Sequence, residues 1–519
     1  MARQRDSKLV VVGNIATSGS RGYGSDLPVT WVIQRFLTDG RLDPAFGTDG
    51  VAKLKMDPLT FASAIVVQPS DQKILIGGES DPSGAGGVEF ARLNPDGSLD
   101  TSFGDAGTMF LSRPEVRIHE TGTMALDATG NTYLAGSGVD RDARHYGVVA
   151  SVTSTGTANG WAPGGILIPD TSAAGFHAEL ESVAVSGATV FYGGAAGEYA
   201  PPGPALLGAV ARSDGAPVAG FGSDGLFRPA VAVRLTGLLL GADGKLKATG
   251  SGRGSGPYLG TLIASFKTSG SDPTDRSFGQ GGRVVVGGAE LDSPTGGSAI
   301  TEQTGRLFVA SNARVADESQ GSAGRPALVG VDAATGALDT RLGPQGFRLY
   351  DFGGSDAFAG AIAVTDRFVA LAGSGDPPPD DYHTAEGLLA VIEAKAAPRA
   401  GAVRVRQSQR RLRGGRTRVR VAGRLLVPSG VSNKRGCRGP VAARFLRSGG
   451  VVLRRRTRVS SRCRYSLTVT FARQRVPRRV AVRFLGNGAV GASPVRSKKL
   501  GRRHATRSRV ARATAPGRP

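Results

Sequence analysis

Residues 92–107 read RLNPDGSLDTSFGDAG, and this stretch decides the fold because the chain repeats it. A polar turn is followed by a Phe-Gly-x-x-Gly phrase that begins at Phe103 and Gly104. Further copies begin at Phe46-Gly47, Phe221-Gly222 and Phe278-Gly279, and degenerate copies lie at Trp161 and Leu342. Successive copies are 57 to 64 residues apart. Self-similarity at a nearly constant period is the signature of a repeat architecture.

Each period contains four short apolar segments separated by Gly, Pro, Asn and Asp, which is the pattern of strands and turns. Residues 64–67, 73–78 and 89–93 give three of the segments in one period, and the fourth follows the Phe-Gly phrase. Four strands in about 60 residues are typical of a propeller blade. We therefore predict an all-β chain with a β-propeller of about seven blades. The residues that we expect to be structural in the repeat are Phe46, Gly47, Phe103, Gly104, Phe221, Gly222, Phe278 and Gly279.

The number of copies differs between the four segments. The second segment, which ends in glycine, and the third each occur seven times, whereas the first and fourth occur six times. We therefore expect the first blade to lack its first strand and the last blade to lack its fourth. The basic start from Met1 to Arg5 is not followed by the apolar stretch of a signal peptide. We expect a signal peptide and one or two strands upstream of Met1.

The charge of the chain is divided sharply near Pro398. Residues 1–398 carry a net charge of −12, whereas residues 399–519 carry 35 Lys and Arg residues and no Asp or Glu. This division predicts a propeller over 6–395, a linker over 396–401, a basic domain over 402–497 and a disordered basic tail over 498–519. No apolar run reaches the roughly 18 residues that a membrane-spanning helix requires.

The basic domain shows a strict alternation of apolar and basic residues, as in residues 418–421. Such alternation predicts strands with one buried and one solvated face, and about seven of them fit an immunoglobulin-like β-sandwich. Cys437 and Cys463 are the only cysteines of the chain. We expect them to form a disulfide in an oxidising compartment, and two buried free thiols are the alternative.

The repeat resembles the delta-60 repeat family, a group of bacterial repeats that occur mostly in large or exported proteins without an assigned function. Residues 92–104 with Gly107 carry the resemblance, which recurs well at 35–50 and weakly at 151–165 and 331–346. It extends over residues 6–395 and implies a propeller-like fold without catalytic residues to transfer. The basic domain is loosely similar to small β-domains that are appended to exported proteins of GC-rich bacteria.

The sequence contains no linear motif for catalysis or for a cofactor. Its five histidines, at positions 119, 145, 177, 383 and 504, lack the spacing of metal ligands. The glycine-rich stretch 250–256 has no following helix, so a loop is favoured over a phosphate cradle. Asp39-Gly40 and Asp96-Gly97 are predicted to be Asx-stabilised turns and not calcium loops. We therefore predict no catalytic residue, no cofactor and no metal.

These patterns favour a monomeric, non-enzymatic, exported binding protein whose basic domain attaches to an anionic cell envelope or extracellular polymer. Nucleic acid is a less favoured partner because the basic domain has few aromatic residues and a predicted disulfide. A solvated face without a ligand, or a basic tail that rests on the acidic propeller, would be alternatives. The second hypothesis is a propeller enzyme, a hydrolase, lyase or oxidoreductase that acts on a carbohydrate or small metabolite. Acidic or histidine residues at one channel mouth would favour the enzyme, and an apolar channel would argue against it.

Overall fold

The computed structural model divides into two compact units, Met1–Ala394 and Lys395–Pro519, and each consists of antiparallel sheets. The described residues are 1–16, 28–81, 86–175, 177–198, 204–230, 232–254, 258–288, 293–315, 323–350, 357–365, 368–375, 386–393, 402–427, 437–447, 450–484 and 496–500. Within these ranges, no helix is both long enough and apolar enough to cross a membrane. The helical segments that the structure describes are four short 3₁₀ turns, Pro163–Gly165, Ser172–Ala174, Arg413–Gly415 and Arg473–Arg475.

The described residues of the first unit form seven sheets in which consecutive strands pair as neighbours, which is the arrangement of propeller blades. The first blade consists of β1 (Ala2–Arg3), β2 (Leu9–Ala16), β3 (Pro28–Phe36) and β4 (Val51–Pro58). The second consists of β5 (Phe61–Val67), β6 (Ile74–Ser80), β7 (Gly87–Leu93) and β8 (Thr108–Ser112). The third consists of β9 (Arg117–Leu126), β10 (Thr132–Val139), β11 (His145–Val152) and β12 (Ile166–Leu167).

The remaining blades follow the same order along the chain. The fourth consists of β13 (His177–Ser186), β14 (Thr189–Gly197), β15 (Ala205–Ala211) and β16 (Leu226–Phe227). The fifth consists of β17 (Ala232–Leu240), β18 (Leu246–Arg253), β19 (Leu259–Phe266) and β20 (Arg283–Val286). The sixth consists of β21 (Ser293–Gln303), β22 (Arg306–Val315), β23 (Ala323–Asp332) and β24 (Phe347–Leu349). The seventh consists of β25 (Ala357–Val364), β26 (Phe368–Gly375) and β27 (Glu386–Glu393).

The first blade corrects one expectation from the sequence. Ala2 pairs with Val10 and Arg3 with Leu9, so a two-residue strand occupies the place of the first strand that we expected to be missing. A strand of two residues is too short to be recognised from a pattern of apolar residues. The seventh sheet has three strands among the described residues.

From the second to the seventh blade, the first strand carries a β-bulge next to the recurrent glycine of the second strand, which Ser311 replaces in the sixth blade. In the second blade the register shifts between Ala62 and Ala64, which leaves Ser63 unpaired beside Gly78. A Cβ atom at Gly78 would lie 1.9 Å from the carbonyl oxygen of Phe61. The bulge thus brings the first strand so close that only glycine fits opposite it. Similar approaches occur at Gly194, Gly250 and Gly373.

The second unit is a β-sandwich. One sheet has the order β28-β29-β32, and the other has the order β31-β30-β33-β34. The strands are β28 (Ala402–Arg411), β29 (Thr417–Leu426), β30 (Pro440–Arg447), β31 (Gly450–Arg458), β32 (Arg464–Phe471), β33 (Arg479–Phe484) and β34 (Arg496–Lys499). Buried residues from both sheets, including Val419 and Phe445, form one hydrophobic core.

The last strand extends beyond the boundary that we predicted. Lys498 and Lys499 pair with Val480 and Arg479 on β33, although the sequence placed both lysines in a disordered tail. Their strand is fully exposed and has no apolar alternation, so pairing with β33 and not local pattern decides its structure. The predicted linker 396–401 and residues 501–519 lie outside the described residues.

Candidate functional site

One end of the propeller carries the repeated sequence motif, and its contacts join neighbouring blades. The aromatic rings of Phe46, Phe103, Phe221 and Phe278 are completely buried. The glycine after each ring donates a backbone hydrogen bond of 2.8 to 3.0 Å to a turn of the next blade. The four pairs are Gly47 N–H to Asp96 O, Gly104 N–H to Thr155 O, Gly222 N–H to Gly270 O, and Gly279 N–H to Thr335 O.

In the second blade a buried arginine completes this contact, and we call the group Arg92, Asp100 and Phe103 the clamp. The Arg92 guanidinium lies 4.7 Å from the centre of the Phe103 ring and donates to Asp100 and to the carbonyl oxygen of Ser154 in the third blade. Burial alone would raise the pKa of Asp100, but hydrogen bonds from Lys73, Ser102 and Arg92 hold it well below its usual range. Arg35, Asp43 and Phe46 form the same arrangement in the first blade.

The fifth blade builds the clamp from a different residue. Ser265 occupies the position of Arg92, since it accepts a hydrogen bond from Asp275 N–H as Arg92 does from Asp100 N–H. The ammonium group of Lys247, fully buried, lies 5.3 Å from the Phe278 ring instead. It donates to Ser265 at 3.1 Å and to the Ala333 carbonyl of the sixth blade at 3.0 Å. A cation thus lies near the buried phenyl ring in both blades, although an arginine supplies it in one and a lysine in the other. This indicates a structural role for the end of the propeller that carries the repeated motif.

The first strands surround a central cavity of about 400 Å³ whose wall comes from all seven blades. Most side chains of the wall are apolar, such as Ile65, Met124, Leu238 and Ile362, although polar atoms make up more than half of the exposed wall. Among the described lining residues there is no Asp, Glu, His, Lys or Arg. None of the described side chains of the wall can therefore act as a general acid or base.

Charged and aromatic groups lie instead at the end where the first strands begin. From the second blade to the seventh, the recurrent glycine of the second strand pairs with one residue of the first strand, and in the sixth blade Ser311 pairs with Gly297 instead. In each of these blades, the next pair toward the start of the first strand contains one first-strand residue. We call these residues the mouth ring, because they share one level at one end of the channel. The mouth ring consists of Phe61, Glu120, Glu179, Arg234, Gly296 and Phe358.

An ionic group in the third to fifth blades is centred on Glu179, whose side chain is 9% exposed. Its carboxylate accepts a 2.9 Å hydrogen bond from Arg234 Nη2 and lies 3.2 Å from His145 Nδ1. Arg234 Nε also donates to Glu181, the bulged residue of β13. In the second and fifth blades the bulged residues are Ser63 and Thr236, whose hydroxyl groups contact the next blade. In the fourth blade the ionic contact of Glu181 therefore takes the place of the hydroxyl contact that the second and fifth blades make.

Three histidines meet beside this group. The ring centres of His119 and His145 are 6.0 Å apart, and those of His145 and His177 are 5.4 Å apart. The His145 backbone N–H donates to His177 Nδ1 at 3.2 Å. The sequence did not predict this cluster, because the three residues lie on separate strands. They meet because β9 and β11, on either side of β10, pack against β13 of the next blade. His383 and His504 lie outside the described residues. Acidic and histidine residues thus lie together at one end of the channel, which would favour an enzyme, whereas the apolar side chains of the channel wall argue against one.

Two further carboxyl groups at this end have perturbed pKa values. Burial, together with the nearby charge of Glu120, raises the pKa of Glu79 to about 7. Burial and the charge of Asp57 raise the pKa of Glu89 to about 7. Both groups are consequently part-protonated near neutral pH and can donate as well as accept hydrogen bonds. Within the described ranges no group of His, Cys, Asp and Glu is arranged to hold a metal ion.

The two predicted Asp-Gly turns have the Asx geometry. Asp39 Oδ1 accepts a hydrogen bond from Arg41 N–H at 3.1 Å, and Asp96 Oδ1 accepts one from Ser98 N–H at 2.9 Å. In the glycine-rich stretch, residues 250–253 belong to β18, Gly254 follows it, and residues 255–256 lie outside the described residues. Cys437 and Cys463 form a disulfide with a Cα–Cα distance of 4.5 Å.

The sandwich presents exposed arginines on the outer side of the sheet β28-β29-β32. We call this surface the arginine face, and it comprises Arg404, Arg406, Arg410, Arg418, Arg420, Arg424 and Arg464. Arg404, Arg424 and Arg464 are direct neighbours in one row across the three strands. Neighbouring strands lie about 4.8 Å apart, so the backbones of the three arginines are held close together.

The other positions of the arginine face are mainly serine and threonine. Ser408, Ser466, Thr468 and Thr470 alternate with the arginines across the sheet. The outer side of the second sheet is also basic, but it includes Ala442, Ala481 and Leu446 between its arginines. The only four aromatic residues of positions 399–519 are all buried, namely Phe445, Tyr465, Phe471 and Phe484. The domain therefore offers no ring on which a base could stack.

Comparison with known families identifies one stretch of the repeat. Residues 70–103 match the model of the family described as "Domain of unknown function (DUF5122) beta-propeller". This stretch carries a β-propeller repeat. It includes Lys73 and all three clamp residues, so the family pattern covers the groups that join the blades. No curated protein sequence matches the chain significantly.

Several solved structures share a distant likeness. Drosophila Semaphorin 2a is 8% identical, with a TM-score of 0.37, over 92% of this chain and 94% of its own. An exo-1,5-alpha-L-arabinanase from a bovine ruminal metagenomic library is 8% identical, with a TM-score of 0.27, over 53% and 94%. CoXyl43, a GH43 beta-xylosidase/alpha-arabinofuranosidase from a compost metagenome, is 12% identical, with a TM-score of 0.30, over 65% and 93%. At these values none of them assigns an activity to this chain.

Proposed function

We propose that the protein is a non-enzymatic binding scaffold whose arginine face attaches it to an anionic polymer of the cell envelope or extracellular matrix. The observation that carries this proposal is the row of Arg404, Arg424 and Arg464, for which residues 399–519 supply no carboxylate. Like charges directly opposite each other in a sheet destabilise it. An anionic ligand would offset this repulsion, and guanidinium groups bind carboxylate, phosphate and sulfate in a bidentate manner.

A polymer with repeated charges suits the arginine face better than a nucleic acid does. The hydroxyl groups of its serines and threonines can bond to sugar or glycerol oxygens, and the buried aromatic rings exclude stacking on bases. The disulfide favours an exported location, because disulfides persist in oxidising compartments. We further propose that the chain acts as a monomer and that its repeats are of the delta-60 type. We also propose that the sandwich is immunoglobulin-like, because its first, second and fifth strands lie in one sheet.

The test compares two variants of the full chain that each lose three charges. One is Arg404→Gln/Arg424→Gln/Arg464→Gln on the arginine face, and the control is Arg444→Gln/Arg454→Gln/Arg456→Gln on the other sheet. Retention on immobilised polygalacturonate is measured across a sodium chloride gradient, because salt screens such contacts. We expect the arginine-face variant to elute at clearly lower salt than the control.

Two outcomes would contradict the proposal. Equal elution of both variants would show that only net charge matters and that the arginine face is not a site. Failure of the unchanged protein to bind polygalacturonate in 50 mM salt, or tighter binding to duplex DNA of equal charge, would exclude the polymer as its partner.

A further inference from the structure

We infer that the mouth ring of the propeller binds a neutral saccharide chain, with its carboxylates and guanidinium on one side and its phenyl rings on the other. This site is separate from the arginine face, so the inference does not depend on the proposed function. It rests on three observations: the non-repeating polar groups, the aromatic residues at the same level, and the cavity next to them.

The polar side of the mouth ring breaks the repeat. Glu120, Glu179 and Arg234 occupy one equivalent position in three consecutive blades, and Glu181 adds a third carboxylate beside them. At the opposite end, by contrast, the same clamp recurs and joins blades. Groups that a fold needs in every blade are expected to repeat, whereas groups that contact a single ligand are not.

The aromatic side of the mouth ring lies in the second and seventh blades. Phe61 is partly buried and packs against the hydrophobic core of the first two blades, whereas Phe358 is 47% exposed and presents the more accessible ring. On β25 exposed and buried residues alternate, and Phe358 shares the exposed side with Gly360, which lines the channel. Sugars present a hydroxyl-rich edge and an apolar C–H face, so carboxylates combined with aromatic rings suit them.

The cavity supplies the concave shape that a binding site requires. At the end of the cavity next to the mouth ring, the lining residues include Ser63, Thr123 and Gly360. Each of them follows a mouth-ring residue by no more than about three positions along its first strand. The volume of about 400 Å³ falls within the usual range of roughly 300 to 1,000 Å³ for ligand pockets.

The charge of the mouth ring determines which saccharides fit. Three carboxylates stand against one guanidinium, so an anionic sugar would be repelled, whereas hydroxyl groups can bond to the carboxylates. The part-protonated carboxyl of Glu79, which pairs with Phe61 across the ladder, offers a further donor. A purely apolar ligand would add no hydrogen bond to those that Arg234 already makes with Glu179 and Glu181.

Isothermal titration of the full chain with xylohexaose, cellohexaose and chitohexaose tests the inference, and tetragalacturonate serves as the anionic comparison. We expect at least one neutral probe to bind and the anionic probe not to bind at the mouth ring. The test variants are Phe358→Ala and Glu120→Gln. The controls are Phe110→Ala, a similarly exposed ring on the outermost strand β8, and Glu302→Gln, at the far end of β21.

Loss of the stacking ring should weaken binding about 10-fold, and the controls should leave it unchanged. Circular dichroism of each variant verifies that the propeller is folded. Absence of binding by all three neutral probes would overturn the inference, as would equal weakening by test and control variants. Binding of tetragalacturonate that depends on Phe358 would overturn the assignment to neutral saccharides.

Discussion

Replacement of Arg92 by methionine should destabilise the propeller by about 3 kcal/mol, since removal of one partner from a buried ion pair typically costs 3 to 5 kcal/mol. The side chains of Arg92 and Asp100 are both 7% exposed, so water cannot replace the lost contact. The Ser154 carbonyl loses a donor, and the ring of Phe103 loses its cation. The value lies at the lower end because Lys73 still bonds to Asp100 at 2.8 Å.

The assay is urea unfolding followed by tryptophan fluorescence. Trp31 and Trp161 are the only tryptophans, and both are buried in the propeller, so the signal reports on this unit alone. The control is Arg41→Met, whose guanidinium is 78% exposed and pairs with Asp39 at 2.8 Å. Exposed pairs contribute about 0 to 1 kcal/mol, so this variant should unfold almost like the unchanged protein. If both variants lost the same free energy, or Arg92→Met lost less than about 1 kcal/mol, the clamp would not stabilise the blades.

Three further predictions concern other parts of the molecule. Because the pKa values of Glu79 and Glu89 are raised, both groups stabilise the fold fully below about pH 4.5, and this contribution is lost as the pH rises through about 7. The urea midpoint should therefore be lower at about pH 8 than at about pH 5.5. The double variant Glu79→Gln/Glu89→Gln should flatten this difference. Arg424→Thr should remove the like-charge repulsion in the row and stabilise the sandwich by about 0.2 to 1 kcal/mol. Amide hydrogen exchange on β29 should then be slower, and faster exchange would contradict the reasoning. Reduction of the disulfide, whose cysteines are 26 residues apart, should destabilise the sandwich by about 3 to 4 kcal/mol while the tryptophan signal of the propeller is unchanged.

The blades were predictable because the structural groups recur along the sequence. The Phe-Gly phrase and the glycine-ended segment mark the same strand and turn in most blades, so spacing alone predicts them. The degenerate copies are also consistent with the fold, since changes in one residue are matched elsewhere. Ser265 replaces an arginine, and Lys247 on the neighbouring strand supplies the cation. In the third blade Asn159 bonds to Ser151 at 3.0 Å, so a neutral pair replaces the charged one.

The mouth ring was not predictable, because its members do not form a motif. Glu179 and Arg234 reach each other only because two first strands lie side by side with their bulges at the same level. The histidine cluster likewise depends on the packing of the third blade against the fourth, which no local pattern of residues encodes. The two-residue strand Ala2–Arg3 and the lysines of β34 escaped prediction for the same reason.

Arginine-specific labelling tests the proposed attachment most directly. The full chain is treated with phenylglyoxal with and without polygalacturonate, and the modified residues are located by mass spectrometry. We predict that the polymer protects Arg404, Arg424 and Arg464 strongly and Arg454 and Arg456 weakly. Equal protection of both sheets, or none at either, would contradict the assignment of the arginine face as the attachment site.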